Sequence, residues 1–207
     1  MLRILGKRQS INVRKVLWTC DEIGLDYLQE DWGAGTRAVS DPEFLALNPK
    51  ALVPVVVDDG AVLTESNSIV RYLAAKHART DLLPSDALAR ARVEEMMDWQ
   101  ATELNQSWRT AFLAIARKNP GAATSEQVRE SQAQWAAMMQ LLERRLARGG
   151  PYACGGTFTL ADIVIGLSVN RWFQVPMERP DMPLAHAYWQ RLIERPAAKP
   201  YLGGSTD

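Results

Sequence analysis

Two cysteines and two histidines are all that this 207-residue sequence offers to a soft metal or a disulfide. Cys20 and Cys154 are too few for a disulfide framework, and His77 and His186 lie too far apart for metal-ligand spacing, so reduced thiols and no metal are expected. Net charge is lacking as well. The 24 basic side chains cancel 24 acidic ones, leaving no summed field to hold nucleic acid or an anionic membrane surface. No basic stripe or aromatic motif adds a nucleic-acid signature. No apolar run approaches the roughly 20 residues of a bilayer span, and Met1 to Ser10 holds too short an apolar stretch for a signal peptide. A cytoplasmic protein working on small molecules is the expectation. Internal repeats and low-complexity tracts are absent too. What the chain does have is apolar residues, 47% of the total, enough to bury a core and to exclude disorder.

The first third mixes short β-rich runs with helical patterns, whereas everything after about Ser85 reads as helix punctuated by Gly and Pro. Leu2 to Leu5 is a strand candidate, followed by a polar loop and a helix that carries Val13, Val16, Leu17 and Cys20 on one face and stops at Gly24. Cys20 therefore reads as packing, not as a redox thiol. A second strand is expected over Tyr27 to Asp31, a short helix near Pro42 to Leu47, and strands over Pro54 to Val57 and Ala61 to Thr64 around the turn signal Asp58-Asp59-Gly60. Ser66 opens a helix to about Lys76. The order β-α-β, short helix, β-β-α is that of a thioredoxin-like sheet. The fold class is thus α/β: a thioredoxin-like domain over residues 1–80, a linker over Asp81 to Ser85, and an all-helical domain over 86–207. In the latter, Asp86 to Lys118 forms a long helix with a buried stripe of Val93, Met97, Ala101, Leu104, Trp108, Ala111 and Ile115. Glu126 to Arg148, Thr159 to about Trp172, and Pro183 to Glu194 follow as helices.

Three segments carry a more specific message. Ser10-Ile11-Asn12 precedes Arg14-Lys15-Val16-Leu17-Trp18. Asn48-Pro49-Lys50-Ala51-Leu52-Val53-Pro54-Val55 leads through Asp58-Asp59-Gly60 to Thr64-Glu65-Ser66-Asn67-Ser68-Ile69 and Arg71-Tyr72-Leu73. Phe158-Thr159-Leu160-Ala161-Asp162-Ile163 fits a capping box, with Asp162 reaching back to the threonine. In this order they resemble the glutathione S-transferase superfamily across essentially the whole chain, on its serine-type or theta-like side. The resemblance implies that Ser10 supplies the catalytic hydroxyl and that Val53, before a cis Pro54, offers its backbone to the cysteinyl part of glutathione. It implies that Glu65 and Ser66 meet the γ-glutamyl end, that Asp162 serves folding, and that the protein is a two-fold homodimer with Met96, Met97 and Asp98 on its long helix. One departure stands out: Ala51-Leu52 occupies the place of the family's Gly-Lys, so that Lys50 or another basic residue must meet the glycyl carboxylate.

The chemistry asked of these residues is modest. A thiol with a pKa near 8.5 is only a few per cent ionised at neutral pH, and a hydrogen bond to a charged group contributes about 1.5 to 3 kcal/mol. One hydroxyl can therefore lower the glutathione pKa by roughly one to two units, aided by the positive end of the helix that follows. Ser10 is a donor here, not a nucleophile, and Asn12 is the rival donor; helix capping is the plain alternative for both. A helix N-terminus with Ser66 suits a carboxylate, and Glu65 suits an ammonium. Trp108 and Phe112, one turn apart, are candidates for the electrophile pocket, although such pairs are commonly core. Glutathione conjugation to a hydrophobic electrophile, as in detoxification, is the leading reading. Glutathione-dependent peroxide reduction or dehalogenation, and a non-catalytic binding or assembly module on the same fold, are the alternatives. A thiol-transferase would want a cysteine near position 10, where none stands.

Overall fold

A computed structural model describes residues 1–33, 35–117 and 123–203. The chain divides between Leu83 and Pro84 into two compact units.

In the first unit, strand β1 (Leu2–Leu5) leads into helix α1 (Ile11–Ile23), whose face of Val13, Val16, Leu17 and Cys20 is fully buried. Gly24 ends α1 at φ 80°, a left-handed conformation, and its N–H donates to the Cys20 carbonyl. Burial pushes the Cys20 thiol up to about 12, in keeping with a packing role. Strand β2 (Tyr27–Glu30) runs parallel to β1. Helix α2 (Pro42–Leu47) starts where the Asp41 carboxylate accepts from the Glu43 N–H at 2.9 Å, with Pro42 in the first turn. Strands β3 (Val55–Asp58) and β4 (Ala61–Thr64) are joined by Asp59-Gly60 at φ 49° and 86°, the positive pair that a two-residue hairpin of this twist requires. The strand expected from Pro54 starts one residue later, since proline has no N–H for the ladder. The sheet order is β2-β1-β3-β4 with only the β1–β2 pair parallel, a thioredoxin-like arrangement. Leu5 and Val55 form a core cluster with Trp32 and Phe44 of α2. Helix α3 (Ser66–Lys76) packs on α1. Asp58 at the end of β3 accepts from Lys76 Nζ at 2.6 Å and Tyr72 OH at 2.9 Å. The Lys76 ammonium above all, and then the tyrosine, holds the Asp58 carboxyl below the usual carboxylate range.

The second unit is helical: α4 (Ala87–Trp99), a π-helical turn (Gln100–Leu104), α5 (Asn105–Ile115), α6 (Ser125–Gly149), α7 (Leu160–Gln174) and α8 (Pro183–Ile193). The helix expected from Asp86 to Lys118 is therefore interrupted, and Lys118 lies outside the described residues. Val93, Met97, Leu104, Trp108 and Ala111 of its stripe are buried, but Ala101 is exposed and Ile115 only half-buried. The π turn is the cause: its wider winding takes in one residue more and shifts the phase. Gln100 occupies the inward place instead, fully buried, with Nε2 donating to Ser168 Oγ at 3.0 Å.

Helix α7 is the centre of this unit, buried at every residue from Leu160 to Trp172, as its nearly continuous apolar sequence allows. Its first turn is closed by the Thr159–Asp162 capping box. The fully buried Asp162 carboxylate accepts from the Thr159 N–H and the Ala153 N–H, both at 2.8 Å, and from the Tyr188 hydroxyl of α8 at 3.0 Å. Among the described residues, no helix is long and apolar enough to cross a membrane.

Removing Asp162 leaves two buried backbone donors unpaired, each costing about 1–3 kcal/mol. Asp162→Ala should therefore lower unfolding free energy by roughly 2–6 kcal/mol in urea denaturation; a variant that melts like the wild type would remove the network from any structural role. A second readout is pH. Burial raises the Asp162 carboxyl to about 6 against the pull of its hydrogen bonds, so the folded state holds a proton that the unfolded chain releases near about 3.9. This group's contribution is then full below about pH 4 and lost as pH rises through about 6. The stability of the wild type relative to Asp162→Asn should decline over that window, a comparison in which the other carboxylates cancel.

Candidate active site

The loops of the first unit converge on a small pocket of about 100 Å³ lined by Asn12, Asn48, Leu52, Val53, Pro54, Thr64, Glu65 and Ser66. Each wall has a local reason to be where it is. Asn48 is buried and organises the loop from within: its Nδ2 donates to the Leu52 carbonyl at 2.7 Å and its Oδ1 accepts from the Lys50 N–H at 3.2 Å. This is the backbone-mimicking use of an asparagine side chain in a turn. The loop then passes through Ala51 at φ 54° and a cis Val53–Pro54 peptide before entering β3. Beyond β4, Glu65 precedes α3 at φ 67° and ψ 105°, a conformation that a residue with a Cβ adopts only at a cost of order 1–3 kcal/mol.

The N-terminus of α3 opens on this pocket. The first intrahelical bond runs from the Ile69 N–H to the Glu65 carbonyl at 2.9 Å, and Glu65 gives no side-chain cap. Ser66, itself buried, and the N–H groups of the first turn are the donors that such a terminus presents to an anion. At the rim, Lys50 Nζ and Glu65 Oε1 form an ion pair at 2.9 Å with both side chains more than 60% exposed, which limits its strength to about 0–1 kcal/mol.

Ser10 is the N-cap residue of α1, half-buried, with φ −68° and ψ 125°. Its N–H donates to the Lys7 carbonyl at 3.0 Å and its carbonyl accepts from the Arg14 N–H at 2.9 Å. The hydroxyl makes no capping bond to the helix, so the plain capping alternative is not realised. Gly6 holds this loop against the pocket. At φ 146°, a Cβ on it would lie 2.5 Å from Val13 Cγ2 of α1 and 3.0 Å from Val53 Cβ. No other residue lets these two segments approach so closely.

The residues singled out from the sequence thus fall into three groups. Asn12, Val53, Pro54, Glu65 and Ser66 come together at one pocket. Ser10 stands two residues before Asn12 outside its immediate lining, and Lys50 is turned to Glu65 at the rim. Trp108 and Phe112 lie in the helical unit, both buried, with ring centroids 5.5 Å apart and the Arg171 guanidinium 4.3 and 3.9 Å from their rings. Asn48, Leu52 and Thr64 were not singled out as site residues. Asn48, placed before a proline in a turn, carried the only legible signal of the three. Among the described residues no cluster of His, Cys, Asp and Glu has the makings of a metal site.

Comparison with known proteins identifies the family of the two units. Residues 5–81 match the glutathione S-transferase N-terminal domain and residues 103–196 the corresponding C-terminal domain. The chain is 33% identical to Glutathione S-transferase GstB of Escherichia coli over 201 residues, 96% of each chain. It is 35% identical to Glutathione S-transferase 3 of Zea mays over 204 residues, 95% of this chain and 90% of the other. The crystal structure of a theta class glutathione S-transferase from Xanthomonas axonopodis pv. citri, with glutathione bound, superposes with a TM-score of 0.93 at 33% identity, covering 100% of this chain and 99% of that one. With both domain models matched in order, near full-length identity above 30% and the thioredoxin-like sheet leading into an all-helical unit, the chain belongs to the glutathione S-transferase family.

Proposed function

We propose that the protein is a glutathione transferase that stabilises the glutathione thiolate for attack on a hydrophobic electrophile. The observation that carries this reading is the convergence of the Val53–Pro54 backbone, Glu65 and the open N-terminus of α3 on one pocket. Their chemistry is complementary to the tripeptide. The γ-glutamyl carboxylate meets Ser66 and the first-turn N–H groups, while its ammonium takes Glu65 from Lys50, at little cost because that ion pair is exposed. Lys50, released, turns to the glycyl carboxylate. Val53 holds the cysteinyl backbone, directing the sulfur toward the start of α1.

There the Ser10 hydroxyl, unused as a cap, donates to sulfur as the thiol proton leaves to solvent. Asn12, two residues on, is the second donor in reach of the same region. The thiolate lone pair forms a carbon–sulfur bond with the electrophile, whose leaving group departs with its own electron pair. The candidates for contact with an electrophile are Trp108 and Phe112 of the helical unit, both buried and covered by the Arg171 guanidinium. The protein works in the cytoplasm, where both cysteines stay reduced.

The chain also pairs as a homodimer. The groove between α4 and α6 suits a two-fold contact: Leu141 is 40% exposed there beside Trp99, and Arg145 lies among Glu95, Asp98 and Glu103. A patch that must face its own copy needs both signs of charge. Of the residues expected on this helix, Asp98 and the largely buried Met96 line the groove, while Met97 is fully buried.

Three measurements test these statements. Ser10→Ala should lower turnover roughly ten- to hundred-fold, the loss of one hydrogen bond to a charged group, and raise the pH at which bound thiolate absorbance develops. Glutathione affinity should change little. If turnover and titration stay put in Ser10→Ala and fall in Asn12→Ala, the donor is Asn12; if neither matters while glutathione binds, the protein is a non-catalytic module. Glu65→Ala should weaken glutathione binding by calorimetry roughly tenfold or more, and an unchanged affinity would dismiss the γ-glutamyl assignment. Light scattering should return twice the 23.1 kDa of one chain; a monomer at micromolar concentration would refute the pairing.

A further inference from the structure

Helix α1 carries its charges against its own dipole. The first twenty residues of the chain hold five cations, Arg3, Lys7, Arg8, Arg14 and Lys15, and no acid, although the chain as a whole is neutral. The first turn of α1 has no acidic residue and its last turn no basic one; Arg14 and Lys15 stand near its start, Asp21 and Glu22 near its end. Acids in the first turn and cations in the last are what stabilise a helix, so this order costs α1 stability. Local rules broken in this way concentrate at functional sites. The helix begins beside the pocket, whose lining includes Asn12, and a positive field there suits an anion held in that pocket.

Burial singles out Lys15 among these cations. The residue is 3% exposed, and no other lysine among the described residues is buried. It stands three positions after Asn12, on the same face of α1 and one turn behind the pocket wall. Its Nζ crosses to α3 and donates to Asn67 Oδ1 at 3.1 Å. Asn67 follows Ser66, which lines the pocket, and belongs to the first turn of α3. The ammonium is thus held next to the helix end whose N–H groups suit an anion. Taking an ammonium out of water is costly. Holding α1 and α3 together does not require that cost, since both helices bury apolar side chains.

We propose that Lys15 is a positioning residue that makes the pocket selective for the α-carboxylate of a γ-glutamyl ligand. Ser66 and the first-turn N–H groups of α3 contact that carboxylate, and Lys15 acts from behind them. Through Asn67 it fixes the turn that presents those donors. Its charge, acting through the protein interior rather than through water, favours an anion at the helix end over a neutral group. This role rests on the glutathione reading of the pocket. The two charges of the γ-glutamyl end are then answered from different depths: Glu65 meets the ammonium at the exposed rim, whereas Lys15 favours the carboxylate from the interior, where salt screens it least.

Calorimetry on the full chain with two ligands tests it: glutathione, and 4-aminobutyryl-cysteinyl-glycine, the same tripeptide without the α-carboxylate, titrated to millimolar concentration. Lys15→Met is close in size and removes the charge. It should bind glutathione roughly tenfold or more weakly than the wild type, and the carboxylate-free tripeptide as well as the wild type does. Asn67→Ala, at a half-buried position, keeps the lysine and should show a smaller loss, again confined to glutathione. A merely structural role would weaken both ligands alike. Equal losses for the two tripeptides in Lys15→Met, or a glutathione affinity unchanged in it, would overturn the proposal and leave the glutathione reading in place. If Lys15→Met does not fold, Asn67→Ala decides: a loss confined to glutathione upholds the role, and an equal loss or none overturns it. No saturable heat from glutathione with the wild type would remove the glutathione reading and this role with it.

Discussion

The Asp162 carboxylate has no access to water, and four segments of the helical unit are arranged around the need to satisfy it. It gathers the N–H of Thr159 before α7, the N–H of Ala153 in the preceding loop and the hydroxyl of Tyr188 from α8. Through the Ala153 carbonyl the same knot reaches Arg145 of α6. A charge at that depth is costly unless its lone pairs are used, and here donors from three separate segments use them. Burial lifts its pKa to about 6 against the pull of those hydrogen bonds.

The first unit answers a different constraint: its loops must hold one shape around a small pocket lined by few side chains. Asn48 substitutes for missing backbone partners inside the loop, and Ala51 and Glu65 hold positive φ on either side of the pocket. Strained residues persist only where their surroundings over-determine them. The surroundings here are the Asp59-Gly60 hairpin, the close approach at Gly6, and Asp58 locked to Lys76 and Tyr72. Regular structure thus supplies the rigidity and irregular loops line the pocket, the usual division of labour in such folds.

The Lys50–Glu65 pair joins the two ideas. The two residues satisfy one another at the rim of the pocket. Because the pair is solvated it adds little stability and is easily broken. A buried pair in the same place would have opposed binding instead.

Much of this was legible in the residues themselves. Apolar patterns and capping signals marked the helices except for the break between α4 and α5, Gly24 and the Asp59-Gly60 turn marked element ends, and the order of elements named the sheet, because each of these signals is local and set by backbone sterics. Val53–Pro54, Glu65 and Ser66 were readable as a group only through the family resemblance, which places both pairs in one segment of the chain. The interruption at Gln100 was not, since a π turn depends on which side chain the neighbouring α7 has room for, and Ala101 and Gln100 trade places only in the packed unit. The same holds for Lys50, whose direction is decided by a residue fifteen positions away across the sheet. The sequence by itself determined the elements, their order and the motif. Which distant charges share a pocket was left to the tertiary structure, because electrostatic neighbours are set by distance in space and carry no period along the chain.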